Sequence, residues 1–171
     1  QCITTAGNRN IQHLTHQIID PAADFTMSVR MAKGDGLKNS GGGGFRIGVK
    51  SEINEFRSNC FAKNGINAGI SETEIFIGNQ KVELPSSTNS EIQLKLSGMG
   101  SEDKVDLKLS AHSASGELIA EVSQTMAGSE VTGNVGLVSQ YKGGKGRNEN
   151  PGYRFTDWQL SGEAFSVTPG Q

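Results

Sequence analysis

Segments in which apolar and polar residues alternate dominate the chain. Every second residue is apolar from Phe25 to Met31 and again from Phe45 to Val49. The same alternation recurs in four further segments, at residues 82–84, 92–96, 105–109 and 118–122. A period of two places successive side chains on opposite faces of a β-strand. The pattern therefore predicts a series of strands, each with one apolar and one polar face.

Turn-forming dipeptides separate several of these segments. Gly78-Asn79 follows Ile75-Phe76-Ile77, and Ser115-Gly116 lies between the segments that end at Leu109 and begin at Leu118. Such dipeptides favour the tight turns of antiparallel hairpins. We therefore expect strands that are neighbours in sequence to pair with each other.

The predicted fold is all-β, a two-sheet antiparallel β-sandwich. Apolar residues nowhere keep a helical spacing over about a dozen residues, which argues against βαβ units and a parallel sheet. Stacked sheets leave polar side chains on their outer faces, and these are Arg46, Lys50, Gln93, Lys95, Asp106 and Lys108. Two glycine-rich segments, 34–44 (GDGLKNSGGGG) and 142–152 (KGGKGRNENPG), predict surface loops.

Length and charge restrict the domain count and the partners. The 171 residues suit one domain, assigned to residues 1–165, and residues 166–171 (SVTPGQ) read as the start of a linker to a downstream domain. A net charge of −2 without a long basic run argues against nucleic acid as a partner. No stretch approaches the roughly 18 apolar residues of a spanning helix. No leader opens the chain, so we expect any signal peptide to have been removed.

The two cysteines, Cys2 and Cys60, are too few for a disulfide framework and lack the spacing of a zinc site. A bridge between them and two free thiols are both consistent with the sequence.

Three segments carry a resemblance to a known family: GFRIGVKSEINEFRSNCFAKNGINAGI (44–70), GNVGLVSQY (133–141) and YRFTDWQLSG (153–162). They resemble the N-terminal concanavalin A-like or laminin G-like domain of secreted PhoD-like alkaline phosphatases of Bacteroidetes-type bacteria. The resemblance implies a jelly roll and a secreted, periplasmic or cell-surface location. It also implies that the metal-binding core of the phosphatase lies outside this chain.

The residues that catalysis needs do not converge in the sequence. His13, His16 and His112 stand without carboxylates at the spacing of a two-metal phosphatase, although His13 and His16 are close enough to share a metal. Glu52 and Glu55 are three residues apart, and an odd spacing sends them to opposite faces of a regular strand. They therefore do not form the paired carboxyl groups of a retaining glycoside hydrolase.

Other enzyme signatures are incomplete. The segment has Asn54 and Arg57 where laminarinase-like hydrolases carry the second and third acidic residues of Glu-Ile-Asp-x-x-Glu. The Tyr and His of an alginate-lyase-like elimination are missing near residues 60–69, and there is no Gly-x-Ser-x-Gly elbow. We therefore expect the domain not to be an enzyme, with a jelly-roll glycoside hydrolase or polysaccharide lyase as the alternative.

A carbohydrate-binding surface needs an aromatic platform and planar polar groups. Trp158, the single tryptophan, lies two residues from Leu160 and is expected to pack in the core. Tyr141 and Tyr153 flank a polar loop and are expected to face a ligand together with Arg147, Asn148 and Asn150.

A polar strip is a second candidate contact surface. Arg46, Glu52 and Asn54 share one parity, and Arg57 joins them if a bulge shifts the register. The alternative is a solvated face with cross-strand ion pairs.

A structural calcium ion is a further prediction, in which Asp20 or Asp24 in an N-terminal turn and Asp157 in the last long strand supply oxygen ligands. Asp157 alternatively accepts hydrogen bonds from a neighbouring turn. The sequence indicates no required cofactor.

Two functional hypotheses follow. The first is a non-catalytic extracellular module that binds carbohydrate or another ligand weakly. The second is an accessory domain that packs on a downstream PhoD-like phosphatase domain of the same chain.

Overall fold

The computed structural model describes residues 2–4, 9–33, 40–50, 65–85, 91–141 and 153–167. These ranges contain one short helix, α1 (Gly128–Val131), and thirteen strands. The strands are β1 (Cys2–Thr4), β2 (Arg9–Ile18), β3 (Phe25–Lys33), β4 (Ser40–Val49), β5 (Ile66–Ile70), β6 (Glu74–Ile77), β7 (Gln80–Glu83), β8 (Ile92–Ser101), β9 (Lys104–Ser113), β10 (Leu118–Ala127), β11 (Gly133–Tyr141), β12 (Tyr153–Ser161) and β13 (Phe165–Val167). Nowhere in these ranges does a helix reach the length and apolarity that crossing a membrane requires.

The strands form two antiparallel sheets. A six-stranded sheet has the order β1-β12-β3-β8-β9-β10, and a seven-stranded sheet has the order β13-β2-β11-β4-β5-β6-β7. The apolar faces of the two sheets stack on each other, as the sequence predicts. The two-sheet antiparallel β-sandwich is therefore confirmed.

Alternating side chains build the core between the sheets. Phe25, Met27, Val29 and Met31 of β3 are at most 2% exposed. They belong to the same buried cluster as Phe45 of β4 in the other sheet. Burying one such side chain contributes about 1.5–3 kcal/mol, so these paired faces supply most of the stability.

The predicted hairpin turns are present, and the predicted pairing is only partly right. Gly78 and Gly116 adopt φ values of +57° and +91° at the β6–β7 and β9–β10 turns. Sequence neighbours pair from β4 to β7 and from β8 to β10. The prediction that sequence neighbours pair is wrong for β3, which pairs with β8 and β12. It is also wrong for β11, which pairs with β2 and β4. These four pairs join distant parts of the chain, and local turns carry no signal for them.

Two predicted apolar positions are exposed because they lie on outermost strands. Val82 of β7 is 38% exposed and Leu118 of β10 is 54% exposed. A register shift between Leu118 and Ala120 also removes Leu118 from the regular alternation of β10.

The first glycine-rich segment is not wholly a loop. Residues 40–44 begin β4 at the centre of the seven-stranded sheet, which corrects the prediction for that part. Neighbouring atoms occupy the positions that β-carbons would take. A Cβ on Gly43 would lie 2.7 Å from the Tyr153 ring, and one on Gly44 would lie 2.5 Å from the carbonyl oxygen of Ala68. Residues 34–39 and 142–152 lie outside the described ranges.

Candidate functional site

The outer face of the seven-stranded sheet can be assigned from strand alternation. Phe45, Ala68, Ile77 and Leu137 point into the core from β4, β5, β6 and β11. Their neighbours in sequence therefore occupy the opposite face. Val138 shows this directly, because it is only 2% exposed and yet does not belong to the core cluster between the sheets.

A depression that we call the glycine cleft lies on this outer face. Val138, Gly44, Gly69 and Phe76 are successive cross-strand neighbours on β11, β4, β5 and β6. Because two glycines stand between Val138 and Phe76, bare backbone forms the floor there. The depression is shallow and open to solvent. Its lining residues are Gly42, Gly43, Gly44, Phe45, Asn67, Ala68, Gly69, Phe76 and Val138.

The aromatic ring of Phe76 forms one wall of the glycine cleft. A Cβ on Gly42 would lie 2.9 Å from Cε1 of Phe76. The absence of that side chain therefore lets the ring approach the backbone of β4. Phe76 and Asn67 are half-buried, and they are the lining residues through which the cleft reaches solvent.

Polar groups stand in the next cross-strand row. Arg46 of β4 is directly opposite Asn67 of β5, and its Nη1 donates a 2.7 Å hydrogen bond to Oδ1 of Asn67. The structure confirms that Arg46 is on the outer face. It corrects the expectation of a solvated position, because Arg46 is only 5% exposed. The pair places an amide and a guanidinium beside the glycine floor.

A bulge in β4 and helix α1 support this end of the site. Gly48 has φ +72°, and the pairing register between β4 and β11 shifts between Asn134 and Gly136. A side chain on Gly48 would collide with the carbonyl of Glu130 in α1. Beyond the bulge, Nζ of Lys50 donates hydrogen bonds to the carbonyls of Ser129 and Thr132. These contacts tie β4 to the helix.

Tyr153 is buried, which corrects its predicted role. It is 6% exposed, belongs to the core cluster and lies under Gly43. The physical reason is parity, because Tyr153 is two residues from the core residue Phe155 and shares its face.

The remaining predicted ligand contacts are not placed. Tyr141 ends β11, and its side chain is outside the described part. The others lie outside the described ranges altogether: Arg147, Asn148, Asn150, Glu52, Asn54 and Arg57.

Asp20 and Asp157, two of the predicted calcium ligands, contact protein groups. Asp157 lies 3.8 Å from Nε of Arg30 and accepts a 2.8 Å hydrogen bond from Gln159. Asp20 accepts a hydrogen bond from the backbone N–H of Ala22. Within the described ranges, no three His, Cys, Asp or Glu side chains come together as a metal site. The calcium site stays a prediction, and Asp157 contacts side chains of β3 and β12, whereas the alternative has hydrogen bonds from a neighbouring turn.

Trp158 packs against the core, as predicted. Its ring centroid lies 5.5 Å from that of Phe45 across the two sheets. Of the two aromatic lining residues of the glycine cleft, Phe45 points into the core, and Phe76 is the one on the outer face.

Solved structures of similar shape share this architecture. Arcelin-5, a lectin-like defence protein from Phaseolus vulgaris, matches with a TM-score of 0.58 and 14% identity, over 95% of this chain and 92% of that chain. Peanut lectin with a bound nonapeptide matches with a TM-score of 0.50 and 12% identity, over 94% and 90% of the two chains. Lectin I-B4 from Griffonia simplicifolia, in its metal-free form, has the same TM-score and identity, over 95% and 93%.

The chain shares the fold of these lectins. The predicted concanavalin A-like β-sandwich is thereby confirmed, whereas these structures provide no link to PhoD-like phosphatases. No protein-family model matches the chain, and a sequence search of curated proteins finds no match.

Sequence reasoning missed most of the residues that line the glycine cleft. Phe76 carries a usable signal, because it is a large aromatic residue between two core isoleucines and so occupies an outward position. Gly44 and Gly69 carry none, since their pairing joins two strands whose register the sequence does not reveal.

Proposed function

We propose that this domain is a non-catalytic carbohydrate-binding module that holds a sugar ring at the glycine cleft. The observation that carries the proposal is the combination of a flat backbone floor, one aromatic wall and an amide–guanidinium pair on a single sheet face. Sugar rings present an apolar face and a rim of hydroxyl groups. Flat apolar surfaces with a few oriented polar groups suit such a ligand.

The glycine cleft is a shallow depression and not an enclosed pocket, so it suits contact with one small part of a ligand. We infer that one ring of a longer glycan is held, with Phe76 beneath its apolar face and Asn67 close to its hydroxyl groups. Small contact area makes the binding weak.

The similarity to lectins supports the same proposal. Peanut lectin and lectin I-B4 are lectins by name, and arcelin-5 is described as lectin-like. At 12–14% identity the likeness concerns the fold, so the chemistry of the glycine cleft carries the functional argument. We further propose a secreted, periplasmic or cell-surface location, where glycans are available. Arg147, Asn148, Asn150, Glu52, Asn54, Arg57 and Tyr141 stay predicted ligand contacts.

The test is a glycan array followed by affinity electrophoresis of the protein in gels containing the glycans that it binds. Phe76→Leu keeps an apolar side chain and removes the flat ring, and we expect roughly two- to tenfold weaker binding because a ring contact contributes about 0.5–1.5 kcal/mol. Lys81→Ala is the matched control, because Lys81 is opposite Phe76 on β7 and outside the cleft. Absence of binding to any glycan, or equal retardation of the two variants, contradicts the proposal.

The accessory role on a downstream PhoD-like phosphatase stays an alternative proposal. Its support is the resemblance of residues 44–70, 133–141 and 153–162, of which the second forms β11 and the third forms β12 with one residue beyond it. Deleting this domain from a full-length phosphatase would then change the stability or the substrate range of the enzyme. Phosphoester turnover by this chain alone would contradict both the accessory and the binding role.

A further inference from the structure

β10 is the outermost strand of the six-stranded sheet. It spans ten residues and pairs with β9, with a regular register from Ala120 to Ala127. No strand of the described ranges pairs with its other edge. An unpaired edge presents a row of N–H and C=O groups that can accept another strand.

The sequence of β10 lacks the residues that usually prevent such pairing. Edge strands are commonly protected by lysine, proline or a central bulge. The segment LIAEVSQTMA contains no lysine, arginine or proline, and its single charge, Glu121, is paired with Lys108 at 3.3 Å. The register shift lies at one end, between Leu118 and Ala120. The seven regular residues from Ala120 to Met126 therefore remain open to a partner.

The orientation of the free backbone groups follows from Ala127. Its N–H donates to Oε2 of Glu130 at 3.3 Å and so points away from β9. Backbone orientation alternates along a strand, so the N–H and C=O groups of Glu121, Ser123 and Thr125 also point to the free side. Gln124 then lies at a position between hydrogen-bonded residues, where facing side chains of two strands approach most closely.

The segment from Glu121 to Ala127 matches its own reverse in chemistry. If two copies pair in antiparallel orientation about Gln124, Ser123 faces Thr125 and Val122 faces Met126. Hydroxyl residues then face hydroxyl residues, and apolar residues face apolar residues, which are favourable cross-strand pairs. Glu121 would face Ala127, but the free-side N–H of Ala127 is bonded to Glu130, so the pairing extends from Val122 to Met126. In this register, the core-facing side chains of one β10 strand lie beside the core-facing side chains of the other, and the same holds for the solvent-facing side chains.

Gln124 supplies an independent observation. Its Oε1 atom is buried and has no hydrogen-bond partner among the described residues. A buried acceptor without a donor is unfavourable by about 1–3 kcal/mol. On a two-fold axis at Gln124, the two carboxamides face each other, and each Nε2 can donate to the Oε1 of the other copy. The Oε1 atom lies beside Gly78 of the β6–β7 turn, so the carboxamide would turn towards the axis to make this bond.

Exposed apolar side chains lie beside the same edge. Val82 of β7 and Leu118 of β10 are two of the four large hydrophobic residues found exposed in the described part. β7 packs against β10, so both side chains lie on the side of the molecule that a second copy would cover.

We propose that two copies of this chain associate through β10, in antiparallel orientation about a two-fold axis at Gln124, and join their six-stranded sheets. Identical surfaces meet in such an association, so it closes at a dimer. Ser123 and Thr125 contribute roughly four new backbone hydrogen bonds in this register.

Sedimentation velocity tests the association. We expect the parent protein to sediment as a dimer, and Gln124→Lys as a monomer because two ammonium groups would face each other on the axis. Gln93→Lys is the matched control, since it adds the same charge on the exposed face of β8, an interior strand, and should stay dimeric. Ser123→Pro is a second disrupting variant that removes a donor on the free side without removing a bond to β9. A monomeric parent, or a folded dimeric Gln124→Lys or Ser123→Pro variant, overturns the proposal.

Cysteine cross-linking tests the register. Gln124→Cys places two thiols directly opposite each other, within the Cα separation of about 4.4–6.8 Å that disulfides tolerate. We expect mild oxidation to produce a covalent dimer of this variant above the background of the parent chain, which contains Cys2 and Cys60. Ser123→Cys is the matched control, because Ser123 faces Thr125 and not itself. No covalent Gln124→Cys dimer, or equal cross-linking of Ser123→Cys, overturns the assigned axis.

Discussion

At successive glycine positions of β4, different neighbouring groups leave no space for a side chain. The Phe76 ring on the outer face excludes a side chain at Gly42, and the Tyr153 ring in the core excludes one at Gly43. Backbone atoms of Ala68 and Gly69 on β5 exclude one at Gly44. The run is therefore a closely packed part of the sheet, and the flat floor of the glycine cleft is its consequence.

Gly43→Ala tests this packing at a single residue. The added methyl group would lie 2.7 Å from Cδ2 of Tyr153, and we expect a loss of about 1–3 kcal/mol in the free energy of unfolding, as for other overpacked cores. Gly128→Ala is the comparison, because its added methyl group would lie 3.1 Å from the Pro21 side chain, a less severe contact, and should cost less. Urea denaturation gives both values. Equal stability of the parent and Gly43→Ala would show that Tyr153 does not fill this space.

Strand β12 shows how an irregular element depends on one backbone conformation. Asp157 has φ +54°, and the register between β12 and β3 shifts between Thr156 and Gln159. The bulge turns Trp158 towards Phe45, while Asp157 stays on the outer face beside Arg30. A residue that tolerates positive φ is needed at this position.

The effect of substitutions at Asp157 on stability should depend on the backbone conformation and not on the lost charge. We expect Asp157→Val to lose about 1–2 kcal/mol of stability, because a β-branched residue is strained at positive φ. Asp157→Gly should lie within about 1 kcal/mol of the parent, because the exposed ion pair with Arg30 contributes little. Asp106 is a strand position without positive φ, so the order of stability should reverse there, with Asp106→Val more stable than Asp106→Gly. Urea denaturation of the four variants gives the ranking, and the same order at both sites would contradict the explanation.

The elements that the sequence predicts well are those with large apolar residues at every second position. β3, β8 and β9 follow this pattern, and their inward residues are buried apart from Gly100 and the residues at strand ends. The start of β4 could not be predicted, since its stability depends on atoms of β5, β6 and β12 that fill the missing Cβ positions. The burial of Tyr153 was predictable from its spacing to Phe155, because parity outweighs the neighbouring polar loop.

At the scale of the whole molecule, the two sheets have different outer faces. Serine, threonine and charged side chains cover the six-stranded sheet, including Ser28, Lys95, Ser97 and Lys108. The seven-stranded sheet carries the glycine cleft and the buried pair of Arg46 and Asn67. Association through β10 would give each dimer two clefts. Two weak sites then bind a multivalent glycan with higher avidity than one site binds a single ring.

The central claim is that a sugar ring binds at the glycine cleft, and chemical-shift mapping tests it most directly. In ¹H–¹⁵N spectra of the protein titrated with a glycan selected on the array, we predict that the largest changes occur at the backbone amides of Asn67, Gly69, Phe76 and Val138 and at the side-chain amide of Asn67. The Phe76→Leu variant should require a higher glycan concentration for the same changes, and Lys81→Ala should not. Saturable shifts that leave these amides unchanged and map to another surface would contradict the account.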